Sequence, residues 1–178
     1  VLSLTRLQEQ TEEIYPELQL CNELVFLPLG FKISKIQREV ESTQYCACAF
    51  SLNGAQCRFR VGKVTPKKVG FFATLWKRSE AGPIAPFDRD DPVDLSIFYV
   101  CDKERMGLFV FSKALLIKKG VISKGGVGGK RALRLYPSWS VPTNEQARKS
   151  QIWQCESFLD IDIRGRYDAT RVRKVFSS

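Results

Sequence analysis

The stretch YCACAFSLNGAQCRFRVGKV, residues 45–64, constrains the fold of this chain more than any other. Two runs of period-two character lie around Asn53-Gly54, clearest in AQCRFRV, where apolar and polar residues alternate. Alternation at period two puts one set of side chains on each face of a strand. Asn-Gly is the dipeptide that accepts the two positive φ angles of a type I′ turn. The spacing therefore predicts an antiparallel hairpin, with Cys46 and Cys48 on one face of its first strand. Three more strands are expected: GFFATLWKR (70–78) after the turn Thr65-Pro66-Lys67-Lys68, VDLSIFYVC (93–101) and MGLFVFS (106–112). VDLSIFYVC is almost wholly apolar, which suits a central strand.

Helical signals flank this β-rich middle. Residues 3–19 repeat apolar residues near helical spacing, and Pro16 is expected to kink or divide that helix. KALLIKKGVI (113–122) reads as a short helix ended by Gly120. TNEQARKSQIWQCESFLDI (143–161) reads as a longer one, capped by Thr143 and apolar at Ala147, Ile152, Cys155, Phe158 and Leu159. ALRLYPSW (132–139) is a strand between the two. Strands with flanking helices define an α/β chain of the α+β kind, a mixed β-sheet flanked by helices. The 178 residues suit one domain over 1–162, with 1–40 as a helical or extended lead-in. Residues 163–178 form a basic, partly disordered tail in this reading. No apolar run reaches the ~18 residues of a membrane span.

The six cysteines form no CxxC pair and there is no histidine, which disfavours a zinc site. The same composition excludes Ser-His-Asp and Cys-His catalysis. The cysteines are expected as small buried apolar groups of a cytoplasmic protein.

Charge is distributed unevenly. Residues 1–45 carry a net −3 and residues 46–178 a net +12, for +9 in all. Between Arg105 and Glu145 no acid interrupts seven cations, Lys113, Lys118, Lys119, Lys124, Lys130, Arg131 and Arg134. Such a stretch points to a polyanionic partner, and nucleic acid is the commonest. The candidate phosphate contacts are Arg58, Arg60, Lys63, Lys77, Arg78, Lys130, Arg131 and Arg134. Arg58 and Arg60 share one face of their strand, so they must pair with acids, for which the loop 88–94 is a source, or line a groove.

The glycine-rich GGVGGKR (125–131) is not a nucleotide-hydrolase loop. Its spacing is one residue short of GxxxxGK[ST], and Arg131 stands where Ser or Thr would hold magnesium. Phosphate contact and a basic hinge are the two readings it leaves open. A second constellation has Asp94 at the start of one strand and Lys113 at the end of the next. Magnesium-dependent nucleases of the PD-(D/E)xK type use this layout, with acids holding the metal and the lysine orienting water. Phe111, however, occupies the second acid's place. Asp91, Asp88 or Glu41 would have to supply the missing carboxylate, with Asp94 and Asp91 as the metal pair.

The strings FRVGKVTPKKVGFFATLWKR, GPIAPFDRDDPVDL, GLFVFSK, GGKRALRLYPSW and QARKSQIWQ, in order over roughly residues 41–159, resemble the MepB family. Lys67, Phe71, Ser112 and Ser138 depart from its common pattern. The resemblance implies a restriction-endonuclease-like fold and no established enzyme activity. It marks Arg60, Lys63, Lys68, Lys77, Arg78, Asp91, Asp94, Lys130, Arg131, Arg134 and Trp139 as motif positions. Taken together, a DNA-binding protein is expected first, with DNA favoured over RNA. A magnesium nuclease using Asp94 and Lys113 is the alternative, and a protein-interaction module with an acidic N-terminal helix is the third.

Overall fold

The computed structural model describes residues 13–79 and 82–177. The first part of the expected helix over 3–19 thus lies outside the described residues. Helix α1 (Pro16–Cys21) begins at Pro16 itself, which takes the first helical position rather than kinking a longer helix. There its missing N–H costs nothing. A π-helical turn, Asn22–Phe26, continues it.

The chain then runs through β1 (Ile33–Arg38), β2 (Cys48–Leu52) and β3 (Ala55–Val61). Between β2 and β3, Asn53 and Gly54 have φ of 49° and 89°, the two positive angles of the expected turn. The Asn53 carboxamide oxygen accepts a hydrogen bond from Lys32 N at 2.7 Å, which ties the turn to the start of β1. Cys46 lies outside the strand, in a left-handed conformation after a short 3-10 turn, so it does not share a strand face with Cys48. The six cysteines are unpaired. Burial pushes the Cys48 and Cys57 thiols up to about 12.

Four short strands follow: β4 (Lys63–Thr65), β5 (Lys68–Thr74), β6 (Trp76–Arg78) and β7 (Ile84–Pro86). GFFATLWKR is therefore two strands rather than one. Leu75 donates its N–H to Arg131 O at 2.9 Å, and beyond it the chain leaves one sheet for another. Then come β8 (Leu95–Asp102), β9 (Arg105–Ser112), α2 (Lys113–Lys118) and β10 (Ala132–Leu135), followed by α3 (Glu145–Cys155), β11 (Phe158–Ile161) and α4 (Ala169–Phe176).

The main sheet has the order β1-β2-β3-β8-β9-β11. β3 and β8 run parallel, and their neighbours antiparallel. A parallel pair needs a long crossover. Here residues 62–94 provide it and carry both smaller sheets, β5 and β4 of the β10-β5-β4 sheet and the β6-β7 ribbon.

Alternation along the central strands divides the core in two. Ile97, Tyr99, Leu108 and Val110 face α1, the π turn and α4. Phe98, Val100, Phe109 and Phe111 face β5, β10 and α2. The residues read as a loose basic tail supply Val172 and Val175 of α4, at 0% and 1% exposure, to the first of these cores. Asp168 caps that helix, accepting from Thr170 N and Arg171 N, while Arg171 donates to the carbonyls of Phe158 and Cys155. The cap of α3 is Asn144, not Thr143. Phe158 and Leu159 belong to β11, and Ile152 is 68% exposed, so the buried side of α3 is narrower than its sequence suggests.

Gly107 of β9 faces β11 at close range. A Cβ there would lie 2.6 Å from Leu159 O and closer still to the Phe158 ring. Because that ring is packed at 4.4 Å on Phe109, it cannot yield. Gly107→Ala is expected to destabilise the protein by about 1–3 kcal/mol, the usual cost of overpacking. A urea titration checks this as a lowered midpoint at unchanged slope.

Candidate nucleic-acid interface

The β10-β5-β4 sheet, the segment after α2, and α3 line a cleft of about 490 Å³. Lys67 and Lys68, at the β4–β5 turn, form one wall. Lys119, at the end of α2, and Lys130 stand elsewhere on its lining, and β10 contributes Ala132, Leu133 and Arg134. Tyr136, Trp153 and the first turn of α3 complete it. Among the described residues, five cations and no acid thus line one concavity. Among the described residues none of the five forms an ion pair. Like charges concentrated in a cleft focus a positive potential on its mouth.

The cleft is held open by named contacts. The Gln154 carboxamide, 2% exposed, accepts from Tyr136 N at 2.8 Å and donates to Arg134 O at 2.9 Å. It therefore locks α3 to β10 through both faces of one amide. Arg134 donates to Thr65 Oγ1 at 3.0 Å and to Val69 O at 3.3 Å, which fixes the β4–β5 turn against β10.

Of the eight residues expected at phosphates, the structure brings two, Lys130 and Arg134, into this cleft. Arg131 is exposed but outside its lining, and Lys63 is exposed with its ammonium 5.6 Å from the Tyr45 ring centroid. The other four are paired with acids of the chain, Arg78 at the surface and Arg60 in the interior. Arg60 is 0% exposed, and its guanidinium grips Glu39 at 2.6 and 3.2 Å, so it cannot reach a phosphate backbone. Arg58 shares the same carboxylate at 3.4 Å. The acid that neutralises this pair comes from beyond β1, not from the loop 88–94. Lys77 pairs with Asp91 at 2.6 Å and Arg78 with Glu41 at 2.6 Å. Lys67, Tyr136, Trp153 and Gln154 were not candidates in the sequence, and Lys119 entered only as one cation of the acid-free stretch. The lysine doublets 67–68 and 118–119 stand beside Pro66 and Gly120, where they read as the edges of a turn and a helix.

The glycine loop has a partner of its own. Gly125, Gly126, Gly128 and Gly129 all have positive φ, between 59° and 87°. Lys124 and Val127 exchange both backbone hydrogen bonds around Gly125-Gly126, a miniature hairpin. The Asp88 carboxylate accepts from Gly126 N at 3.0 Å and from Ser123 Oγ at 2.6 Å. An internal carboxylate thus holds the backbone amide that a phosphate would seek. These bonds, Gly126 N–H foremost, draw the Asp88 carboxyl down from 3.8 to about 2. A depressed acid stabilises the fold fully above its ordinary range, and the contribution is lost as pH falls through the depressed value. The Gly126 amide resonance is expected to titrate with a midpoint of about 2. A midpoint near 4 in the NMR titration counts against the contact.

Asp94 and Lys113 do meet, but through their backbones: Lys113 N donates to Asp94 O at 2.9 Å. Their side chains serve other ends. Asp94 Oδ2 accepts from Gln56 N at 2.7 Å, and Lys113 Nζ donates to the carbonyls of Asp91 and Arg89 at 2.7 and 3.0 Å. Asp91 holds Lys77 and Asp88 N. Phe111 is wholly buried. Among the described residues no group of three or more His, Cys, Asp or Glu is placed to hold a metal ion. The Asp-rich segment pins together β6, α2, the glycine loop and the start of β3.

Fold and cleft together define a mixed α+β protein with a basic, partly aromatic concavity on one side of its sheet. A family model described as MepB-like matches residues 39–160. A crystal structure of MepB is similar at 30% identity and a TM-score of 0.71, over 82% of this chain and 97% of that one. No curated protein matches the chain. The chain belongs to the MepB-like family. Among its described residues no helix is long and apolar enough to cross a membrane.

Proposed function

We propose that this chain is a cytoplasmic nucleic-acid-binding protein, with DNA as its first partner, that seats backbone phosphates in the cleft between the β4–β5 turn and α3. One observation carries the reading: Lys67, Lys68, Lys119, Lys130 and Arg134 line a single cleft with no acid beside them among the described residues. Unneutralised cations in a concavity are costly for a fold to gather unless an anion is to enter. Phosphate contacts position a nucleic acid without reading its sequence. A restriction-endonuclease-like arrangement, the class that includes PD-(D/E)xK nucleases, goes with this reading. The mixed six-stranded sheet flanked by helices supports it.

The test is a gel-shift panel of DNA and RNA strands at low and moderate salt, with and without magnesium. A shift at low salt that fades as salt is added, with strands of unchanged length, is the expected result. No shift at low salt removes the proposal. Shortened strands in the magnesium lanes would return Asp94, Asp91 and Lys113 to a nuclease role.

A further inference from the structure

We propose that the cleft admits an unpaired nucleic-acid strand and stacks at least one of its bases on an aromatic ring. This rests on the phosphate-binding reading above and adds to it which nucleic acid the site takes. The first argument is shape. The cavity, about 490 Å³, has the dimensions of a small-ligand pocket and not of a surface that follows a rigid rod. A duplex offers such a pocket only its outer phosphates, because each of its bases is stacked and paired. An unpaired strand can turn a base inward.

The second argument is the chemistry of the lining. Phosphates alone call for cations, yet this cleft also carries the rings of Tyr136 and Trp153 and the apolar side chains of Val121 and Leu133. Rings interleaved with cations are the recurrent solution for unpaired strands, where the ring takes the base and the cation the phosphate attached to it. Lys119 Nζ lies 5.5 Å from the Trp153 ring centroid, so ring and cation are already adjacent.

The third argument is that both rings are held in place. Trp153 packs on the buried Phe111, with centroids 5.3 Å apart. Tyr136 lies against Gly70, which has φ +89°, and a Cβ on Gly70 would stand 2.9 Å from two atoms of the ring. The bare backbone there makes room for the ring beside the cleft. Gln154 fixes the Tyr136 backbone from the other side. Rings fixed before binding lose little freedom when a base arrives.

The experiment compares three labelled probes by fluorescence anisotropy at one salt concentration. They are a 12-nucleotide DNA strand, the duplex of the same sequence, and an abasic strand with the same number of phosphates. The ordinary strand is expected to bind about tenfold more tightly than the duplex. It is also expected to bind at least about fivefold more tightly than the abasic strand, the lower end of what one stacked base contributes. Quenching of tryptophan fluorescence by the ordinary strand should be lost in Trp153→Phe, which keeps an aromatic ring against Phe111. Equal affinity for the ordinary and abasic strands overturns the inference and leaves phosphate binding standing. So does a duplex bound as tightly as the single strand. Failure of all three probes to bind at low salt removes phosphate binding and this inference together.

Discussion

Replacing Lys67, Lys68 and Lys130 together with alanine is expected to flatten the salt dependence of nucleic-acid binding by more than half. The three are exposed, line one cleft and have no ion pair among the described residues. Substitution there should therefore leave stability within about 0.5 kcal/mol. Each phosphate neutralised on a single strand contributes roughly −0.7 to the slope of log affinity against log salt. Five engaged cations give a slope of about −3.5, and the two remaining after substitution about −1.4. A fourfold rise in salt then weakens the unaltered protein about 100-fold and the variant about 7-fold. Lys119 and Arg134 are left in place because one lies over Trp153 and the other holds the carbonyls of Val69 and Gly70. Arg78→Ala is the comparison. Its guanidinium is already paired with Glu41, so its loss should not change the slope. An unchanged slope in the triple variant places the phosphates elsewhere.

The β-hairpin could be read in the sequence because its determinants are local. Asn53 and Gly54 specify the turn, and alternation on either side fixes which residues face the core. The cleft could not, because its parts are far apart in sequence. Lys67 and Lys68 lie more than 60 residues before Lys130 and reach it through the pairing of Ala132–Leu135 with Phe71–Thr74. Nothing in either segment announces the other. The acid-free stretch from 106 to 144 did indicate where positive charge would gather, and Lys119, Lys130 and Arg134 of the cleft all come from it.

Three misreadings have one physical source, tertiary contacts overriding local pattern. GFFATLWKR holds no proline and no glycine after Gly70, so it reads as one strand, but Leu75 is bonded to Arg131 and the sheets part there. The C-terminal segment looked loose because five cations are scattered through it, yet Val172 and Val175 lie three apart on one helical face and are buried. Asp88, Asp91 and Asp94 looked like partners for Arg58 and Arg60, a place that Glu39 takes. Each instead satisfies backbone N–H groups or a lysine within reach of its own loop, which is the common use of Asp at turns.

The largest stability effect should come from the acid that Arg58 and Arg60 found instead. Glu39→Ala is expected to cost about 3–5 kcal/mol, because it strands the Arg60 charge inside the protein. Arg60 is 0% exposed, and apart from Glu39 it donates, among the described residues, only to Phe59 O, at 2.8 Å. For a chain of this size the loss lowers the melting temperature by roughly 6–20 °C. The damage lies in the uncompensated charge and not in the lost contact, which a second substitution can demonstrate. Adding Arg60→Met to Glu39→Ala removes the stranded charge and should recover most of the stability, since buried ion pairs are often matched by apolar residues of similar volume. Calorimetry on the single and double variants decides the matter. Additive losses mean that water reaches Arg60 and that the pair is not buried in solution, whereas recovery in the double variant establishes a structural role. The recovered variant then separates fold from function. Arg60 lies outside the cleft, so binding to a nucleic acid should be the same with methionine there as with arginine.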